Sequence, residues 1–68
     1  MSKSKLRLHR EELRMTMSKV SQGAGVNATT LCLTELGKLV PSPKFRAALA
    51  AFYGKPEAAL FYETGFAR

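Results

Sequence analysis

Residues 17–37, MSKVSQGAGVNATTLCLTELG, contain two short segments with helix-capping residues on either side of a glycine-rich break. Thr16 is the expected N-cap of one short helix, and the run Gly23-Ala24-Gly25 is expected to break it, with Gly25 in the left-handed position. Asn27 is a strong N-cap candidate for the next helix, which Gly37 closes. Two helices joined by a few residues around one glycine have the spacing of a helix-turn-helix.

Upstream of this stretch, residues 1–5 are expected to form a flexible basic arm. A first helix is predicted from about Leu6 to Arg14, because Leu6, Arg10 and Leu13 fall at i, i+4 and i+7 on one helical face.

A fourth helix is predicted downstream, where Ser42 offers a capping hydroxyl and Pro43 occupies the first helical position. Phe45, Ala48, Leu49 and Phe52 follow at i, i+3, i+4 and i+7, which makes this the clearest amphipathic segment of the chain. Gly54 is expected to end the helix.

A short fifth helix is predicted from Pro56-Glu57 through Phe61, followed by a loose tail over residues 63–68. With no alternating strand pattern, the sequence predicts an all-α domain, a compact bundle of about five short helices over residues 6–62.

Composition limits the function. The chain has 68 residues with 11 Lys and Arg against 5 Asp and Glu, a net charge of +6. This balance indicates an anionic partner, either nucleic acid or an acidic membrane surface.

The single cysteine, Cys32, excludes an internal disulfide and favours a reducing cytoplasm. We expect no signal peptide, and the longest uncharged stretch, residues 20–34, is too polar to span a bilayer.

Residues 17–31, with Glu35 and Gly37 beyond them, resemble the Cro/immunity-repressor (XRE-like) helix-turn-helix family of bacterial and phage regulators. The family has an apolar residue at 20, a small one at 21, glycine at 25 and 37, aliphatic residues at 26 and 31, and glutamate at 35. This sequence meets the pattern at each position. Arg10 matches the first-helix arginine that pairs with that glutamate, and the resemblance covers about residues 6–62.

The sequence departs from the family at three positions. Met17 stands where the family usually has a polar helix starter, often glutamine, that meets a phosphate. Leu33 and Thr34 reverse the family's arrangement, which exposes a polar base reader at 33 and buries an aliphatic residue at 34.

The resemblance implies a lambda-repressor-like bundle and a sequence-specific DNA-binding transcriptional repressor of the Cro type in the cytoplasm of a bacterial host. Its third helix, about residues 28–36, would lie in the major groove of double-stranded operator DNA. The base-reading residues implied are Ala28, Thr29, Thr30 and Leu33.

The predicted outward side of the third helix consists of Ala28, Thr29, Cys32, Leu33 and Leu36. None of these is Arg, Lys, Asn or Gln, so the bidentate pairings with guanine or adenine are missing there. Ala28 and Leu33 would instead press on thymine methyl groups. We expect modest direct readout, supplemented by DNA shape or dimerisation. In an alternative interpretation the helix is rotated, and both leucines lie in the core.

Phosphate contacts are expected from the starts of the second and fourth helices and from basic side chains. The predicted phosphate-binding residues are Lys3, Lys5, Arg7, Arg10, Thr16, Met17, Ser18, Asn27, Lys38 and Lys44. Arg10 and Glu35 are also predicted to form a partly buried structural ion pair between the first and third helices.

Other functions stay open. The apolar face formed by Cys32, Leu33, Leu36 and Leu39 would suit an antirepressor or another module that binds a second regulator protein. A third alternative is an architectural protein that bends DNA.

We predict no enzyme, cofactor or metal site, because His9 and Cys32 do not form a ligand set. If the protein forms a homodimer, we expect the contact to use the apolar residues Leu60, Phe61, Tyr62 and Phe66.

Overall fold

Five helices make up most of residues 4–68, the part of the chain that the computed structural model describes. They are α1 (Lys5–Glu12), α2 (Met17–Ala24), α3 (Ala28–Glu35), α4 (Pro43–Tyr53) and α5 (Glu57–Leu60). Within these residues the β structure is limited to an isolated antiparallel bridge between Phe61 and Ala67. The predicted all-α bundle is confirmed.

Local capping sets where α2 and α4 begin. The Thr16 hydroxyl accepts a hydrogen bond from the backbone N–H of Lys19 at 3.1 Å. The Ser42 hydroxyl accepts one from Phe45 at 3.2 Å, and Pro43 takes the first helical position. Both predicted N-caps are therefore confirmed, because each depends on a side chain and an amide only three residues apart.

Helix α1 differs from its prediction at both ends. Ser4 is its N-cap and Lys5 its first residue, so these two residues are not part of a flexible arm; residues 1–3 lie outside the described part of the chain. The helix stops at Glu12 because Arg14 adopts a left-handed conformation with φ of 56°. This turn leaves Leu13 49% exposed rather than on the buried face.

Gly23 does not break α2. It lies inside the helix, where an added Cβ would overlap the ring of Phe52 on α4. Its lack of a side chain allows α4 to pack closely against α2. The helix ends two residues later at Gly25, whose φ of 72° confirms the predicted left-handed position.

The core is assembled from all five helices. Leu6, Val20, Leu31 and Leu49 are fully buried, one from each of the first four helices. The other buried apolar residues are Phe45, Ala50, Leu60, Phe61 and Ala67.

The segment after α5 is not a loose tail. The N–H of Tyr62 donates to the carbonyl of Phe66 at 2.8 Å, and the N–H of Arg68 donates to Leu60 at 2.9 Å. The Arg68 carbonyl in turn accepts hydrogen bonds from the N–H groups of Lys5 and Leu6 at the start of α1. The prediction of a loose tail was wrong, because the contacts of Arg68 with Lys5 and Leu6 join the two ends of the sequence and leave no local pattern.

No helix within residues 4–68 combines the length and the apolar character that a membrane crossing requires.

Candidate nucleic-acid interface

Asn27 determines where α3 begins. Its side-chain Oδ1 accepts hydrogen bonds from the N–H of Thr29 at 2.8 Å and from that of Thr30 at 3.1 Å. The predicted N-cap is confirmed. Since Oδ1 is occupied in capping, the amide nitrogen is the group of this exposed side chain that remains for a phosphate contact.

One face of α3 points away from the core. Ala28 and Thr29 are exposed, Leu33 is 36% exposed, and Leu36, the C-terminal cap, is 45% exposed. Cys32, between them on the same face, is half-buried. The helical repeat of 3.6 residues brings these five positions together on one side. Three of the predicted base-reading residues, Ala28, Thr29 and Leu33, therefore lie on this outward face.

The opposite face of α3 contains Leu31, Thr34 and Glu35, all buried. The Thr34 hydroxyl donates to the backbone carbonyl of Thr30 at 2.7 Å, which satisfies its polar group inside the protein. Thr30, the fourth predicted base reader, is partly buried beside it. The alternative in which Leu33 and Leu36 lie in the core is wrong, since Leu31 and Thr34 occupy that side.

Arg10 and Glu35 hold α3 against α1. The Arg10 Nε donates to Oε2 of Glu35 at 2.8 Å, and Nη2 donates to Oε1 at 3.1 Å. Arg10 is 9% exposed and Glu35 is 3% exposed. The predicted ion pair is confirmed. Because the guanidinium is buried and engaged on two sides, this geometry does not favour the predicted phosphate contact by Arg10.

The remaining predicted phosphate-binding residues differ in how accessible they are. Arg7 donates through Nε to Oε2 of Glu11 at 3.2 Å, so its charge is partly neutralised, and Met17 packs half-buried against the core. Lys3 lies outside the described residues. The exposed members of the set are Lys5, Thr16, Ser18, Asn27, Lys38 and Lys44.

Two exposed polar residues of α2 were not predicted as contacts. Lys19 and Gln22 lie on the solvent side of this helix, one turn apart, while Val20 on the other side is fully buried. The helical spacing from Val20 contained this information, because at about 100° per residue Lys19 and Gln22 lie roughly 100° and 160° around the helix from the buried Val20.

The predicted dimer residues divide into two pairs. Leu60 and Phe61 are 2% and 3% exposed and belong to the core, so they are not free to form a homodimer contact. Tyr62 and Phe66 are 51% and 41% exposed, on the turn that follows α5. At the bridge, neighbouring residues of the extended segments point to opposite sides, so Phe61 and Ala67 face the core while Tyr62 and Phe66 face outward; Leu60 is buried as the last residue of α5.

His9 and Cys32 lie in different settings. The imidazole of His9 packs edge-on against Tyr53, with ring centroids 4.7 Å apart, whereas Cys32 lies on α3. Across residues 4–68, no three His, Cys, Asp or Glu side chains come together in a way that could hold a metal ion.

No protein family, curated protein or solved structure matches this chain. The resemblance to the Cro/immunity-repressor family therefore stays a prediction.

Proposed function

We propose that this protein is a sequence-specific DNA-binding transcriptional repressor of the Cro type. In this proposal α2 and α3 act as a helix-turn-helix, α3 lies in the major groove of operator DNA, and α2 crosses the phosphate backbone. Occupation of the operator would exclude polymerase or a competing repressor. The resemblance would place the protein in the cytoplasm of a bacterial cell, with a phage or bacterial origin.

The distribution of charge between residues 13 and 56 is the observation that carries the proposal. Glu35 is the one acidic residue in this range, and it is buried and paired with Arg10. The basic residues of the same range are Arg14, Lys19, Lys38, Lys44, Arg46 and Lys55. Helices α2 and α4 and the segment after α3 therefore present positive side chains, and residues 13–56 present no exposed acid. A polyanionic duplex complements such a surface.

Fluorescence anisotropy with duplexes selected from a random pool tests the proposal. We expect saturable binding whose affinity falls steeply with salt. Lys38→Ala and Lys44→Ala should each reduce the slope of log K against log salt by about 0.9 for every phosphate that the variant no longer neutralises. Lys55→Ala is the comparison variant: Lys55 lines a cavity with residues of α1 and α5 and with none of α2 or α3, so we expect an unchanged slope, and a smaller slope would extend the phosphate contacts to this side, where Lys5 also lies. Absence of salt-dependent binding well above micromolar protein would refute DNA binding.

The exposed leucines of α3 favour a second candidate, an antirepressor or protein-interaction module that binds another regulator. Leu33 and Leu36 are 36% and 45% exposed, and Val40 beyond them is 41% exposed. Leu33→Lys separates the two functions. It should abolish binding to a protein partner, whereas a DNA-binding protein would keep its backbone affinity and lose sequence preference. Leu13→Lys, at an exposed position after α1, is the control for added charge.

A homodimer would fit an operator with two-fold symmetry. Tyr62 and Phe66 are the predicted dimer residues that remain exposed. Sedimentation of the Tyr62→Ser, Phe66→Ser double variant tests this part of the proposal. We expect the variant to be monomeric at concentrations where the parent dimerises, and an unchanged mass distribution would remove these residues from the interface.

A further inference from the structure

We infer that α3 selects thymine, through contacts of its apolar outward face with the C5-methyl groups in the major groove. This inference depends on the proposed DNA-binding function and adds the class of base that is read. The ligand that we propose for the outward face of α3 is a thymine-containing stretch of duplex DNA.

The outward face of α3 lacks the groups that recognise purines. Guanine presents two acceptors in the major groove and is read by Arg or Lys, while adenine presents an acceptor and a donor and is read by Asn or Gln. The five outward residues, Ala28, Thr29, Cys32, Leu33 and Leu36, include none of these four types. Thymine is the base that adds an apolar group to this groove, and methyl and isobutyl side chains complement it.

Asn27 does not replace the missing amide. A bidentate contact with adenine needs both the oxygen and the nitrogen of the carboxamide. The oxygen of Asn27 already accepts hydrogen bonds from Thr29 and Thr30. Reading adenine with it would therefore uncap α3. The Thr29 hydroxyl, for which residues 4–68 supply no hydrogen-bond partner, adds one polar contact beside the methyl groups.

Charge favours a duplex over a protein as the occupant of this apolar face. Lys19 on α2 and Lys38 just after α3 are exposed, and Lys44 in the first turn of α4 is exposed as well. Glu35, the acid of α3, is withdrawn into the ion pair with Arg10. These exposed lysines on neighbouring segments, with no exposed acid between residues 13 and 56, match a groove with methyl groups between two phosphate backbones.

Base analogues within a selected binding site test the inference. Replacing a contacted thymine by uracil removes the C5-methyl and keeps the pairing edges. We expect each such replacement to weaken binding about fourfold, the value of one buried methyl group, with no change in the salt slope. At a contacted position, 5-methylcytosine should bind more tightly than cytosine, because it adds the C5-methyl group. Replacing guanine by 7-deazaguanine should change the affinity less than about twofold.

Substitution of Leu33 tests whether α3 makes the contact with the thymine methyl group. Leu33→Ala keeps the fold, because the side chain is on the surface, and should reduce the preference for thymine over uracil at one base pair. Lys38→Ala is the matched control and should lower the overall affinity without altering that preference. Circular dichroism checks that both variants are folded.

The outcomes separate this inference from the proposed function. Salt-dependent binding that is indifferent to uracil overturns thymine reading and leaves DNA binding in place. Failure to bind any duplex overturns the proposed function and the inference together. A weakening by uracil that persists at full size in Leu33→Ala and in Ala28→Gly also overturns it, because the methyl contact would then lie elsewhere on the protein.

Discussion

Arg10 of α1 and Glu35 at the end of α3 form a buried ion pair with two parallel hydrogen bonds, across 25 residues of sequence. The third nitrogen of the guanidinium, Nη1, donates to the carbonyl of Met15 at 2.9 Å. A single side chain therefore connects α1, the segment that leads into α2, and α3. The hydrogen bonds to Glu35 raise the pKa of Arg10 against the opposing effect of burial.

Glu35→Ala should unfold most of the protein. It leaves the buried charge of Arg10 without a partner, which costs about 3–5 kcal/mol, comparable with the whole stability of a small domain. Urea denaturation followed by circular dichroism measures the loss. The Arg10→Met, Glu35→Leu double variant should recover most of it, because no charge is then buried. Glu11→Ala, which breaks the half-buried i, i+4 pair with Arg7, should cost less than about 1 kcal/mol. Equal stability of Glu35→Ala and the parent would contradict this view.

Gly23→Ala should destabilise the protein, although alanine is the better helix former by about 1 kcal/mol. The new methyl group would collide with the Phe52 ring, whose position is constrained by its contact with Tyr53 at 5.4 Å between centroids. The same substitution in a Phe52→Leu background should have the opposite sign, because the ring is gone. Thermal melting of the four proteins gives the coupling free energy, and a coupling near zero would show that the ring moves aside freely.

Deletion of residues 63–68 should lower the melting temperature by more than about 10 °C. The deletion removes hydrogen bonds to Lys5, Leu6, Leu60 and Tyr62, each of which contributes about 1 kcal/mol, and it exposes core surface. Glu63→Ala, an exposed position within the same segment, is the control and should leave the melting temperature unchanged. Equal melting temperatures for the shortened and full chains would show that residues 63–68 do not stabilise the fold.

Tyr53 should make the protein sensitive to alkali. Burial raises its pKa from 10.0 to about 12, and its hydroxyl has no hydrogen-bond partner among residues 4–68. The folded state keeps the proton where the unfolded chain loses it, so this contribution to stability is complete below pH 10 and declines between about pH 10 and 12. Tyr53→Phe should flatten that decline without lowering stability at pH 7. The exposed Tyr62→Phe should retain the decline, and identical alkaline profiles for the parent and Tyr53→Phe would contradict the prediction.

Local sequence patterns predict some of the helix boundaries and miss others. The caps at Thr16, Asn27 and Ser42 were predictable, because each involves a side chain and amides two or three residues away. The end of α1 was placed too late because it uses Arg14 in the left-handed conformation, where glycine is the usual signal. A non-glycine residue in that position leaves no mark in the sequence.

The exposed face of α3 required the tertiary structure. Apolar residues lie on both sides of this eight-residue helix, with Leu31 inside and Leu33 and Leu36 outside. Hydrophobic periodicity therefore does not define its inner face. The buried hydroxyl of Thr34 is tolerated because the Thr30 carbonyl accepts its hydrogen bond.

The all-α class, the starts of α2, α3 and α4 and the basic character of residues 13–56 were predictable from the amino-acid order, because they depend on neighbours along the chain and on composition. Three features became visible only in the folded chain: Leu60 and Phe61 lie in the core, Arg68 binds the start of α1, and Gly23 leaves room for the Phe52 ring. Burial and close approach are properties of segments brought together by folding, and their partners lie tens of residues apart. The rotation of α3 about its axis also depends on distant packing partners, and it places Leu33 and Leu36 toward solvent and Thr34 in the core.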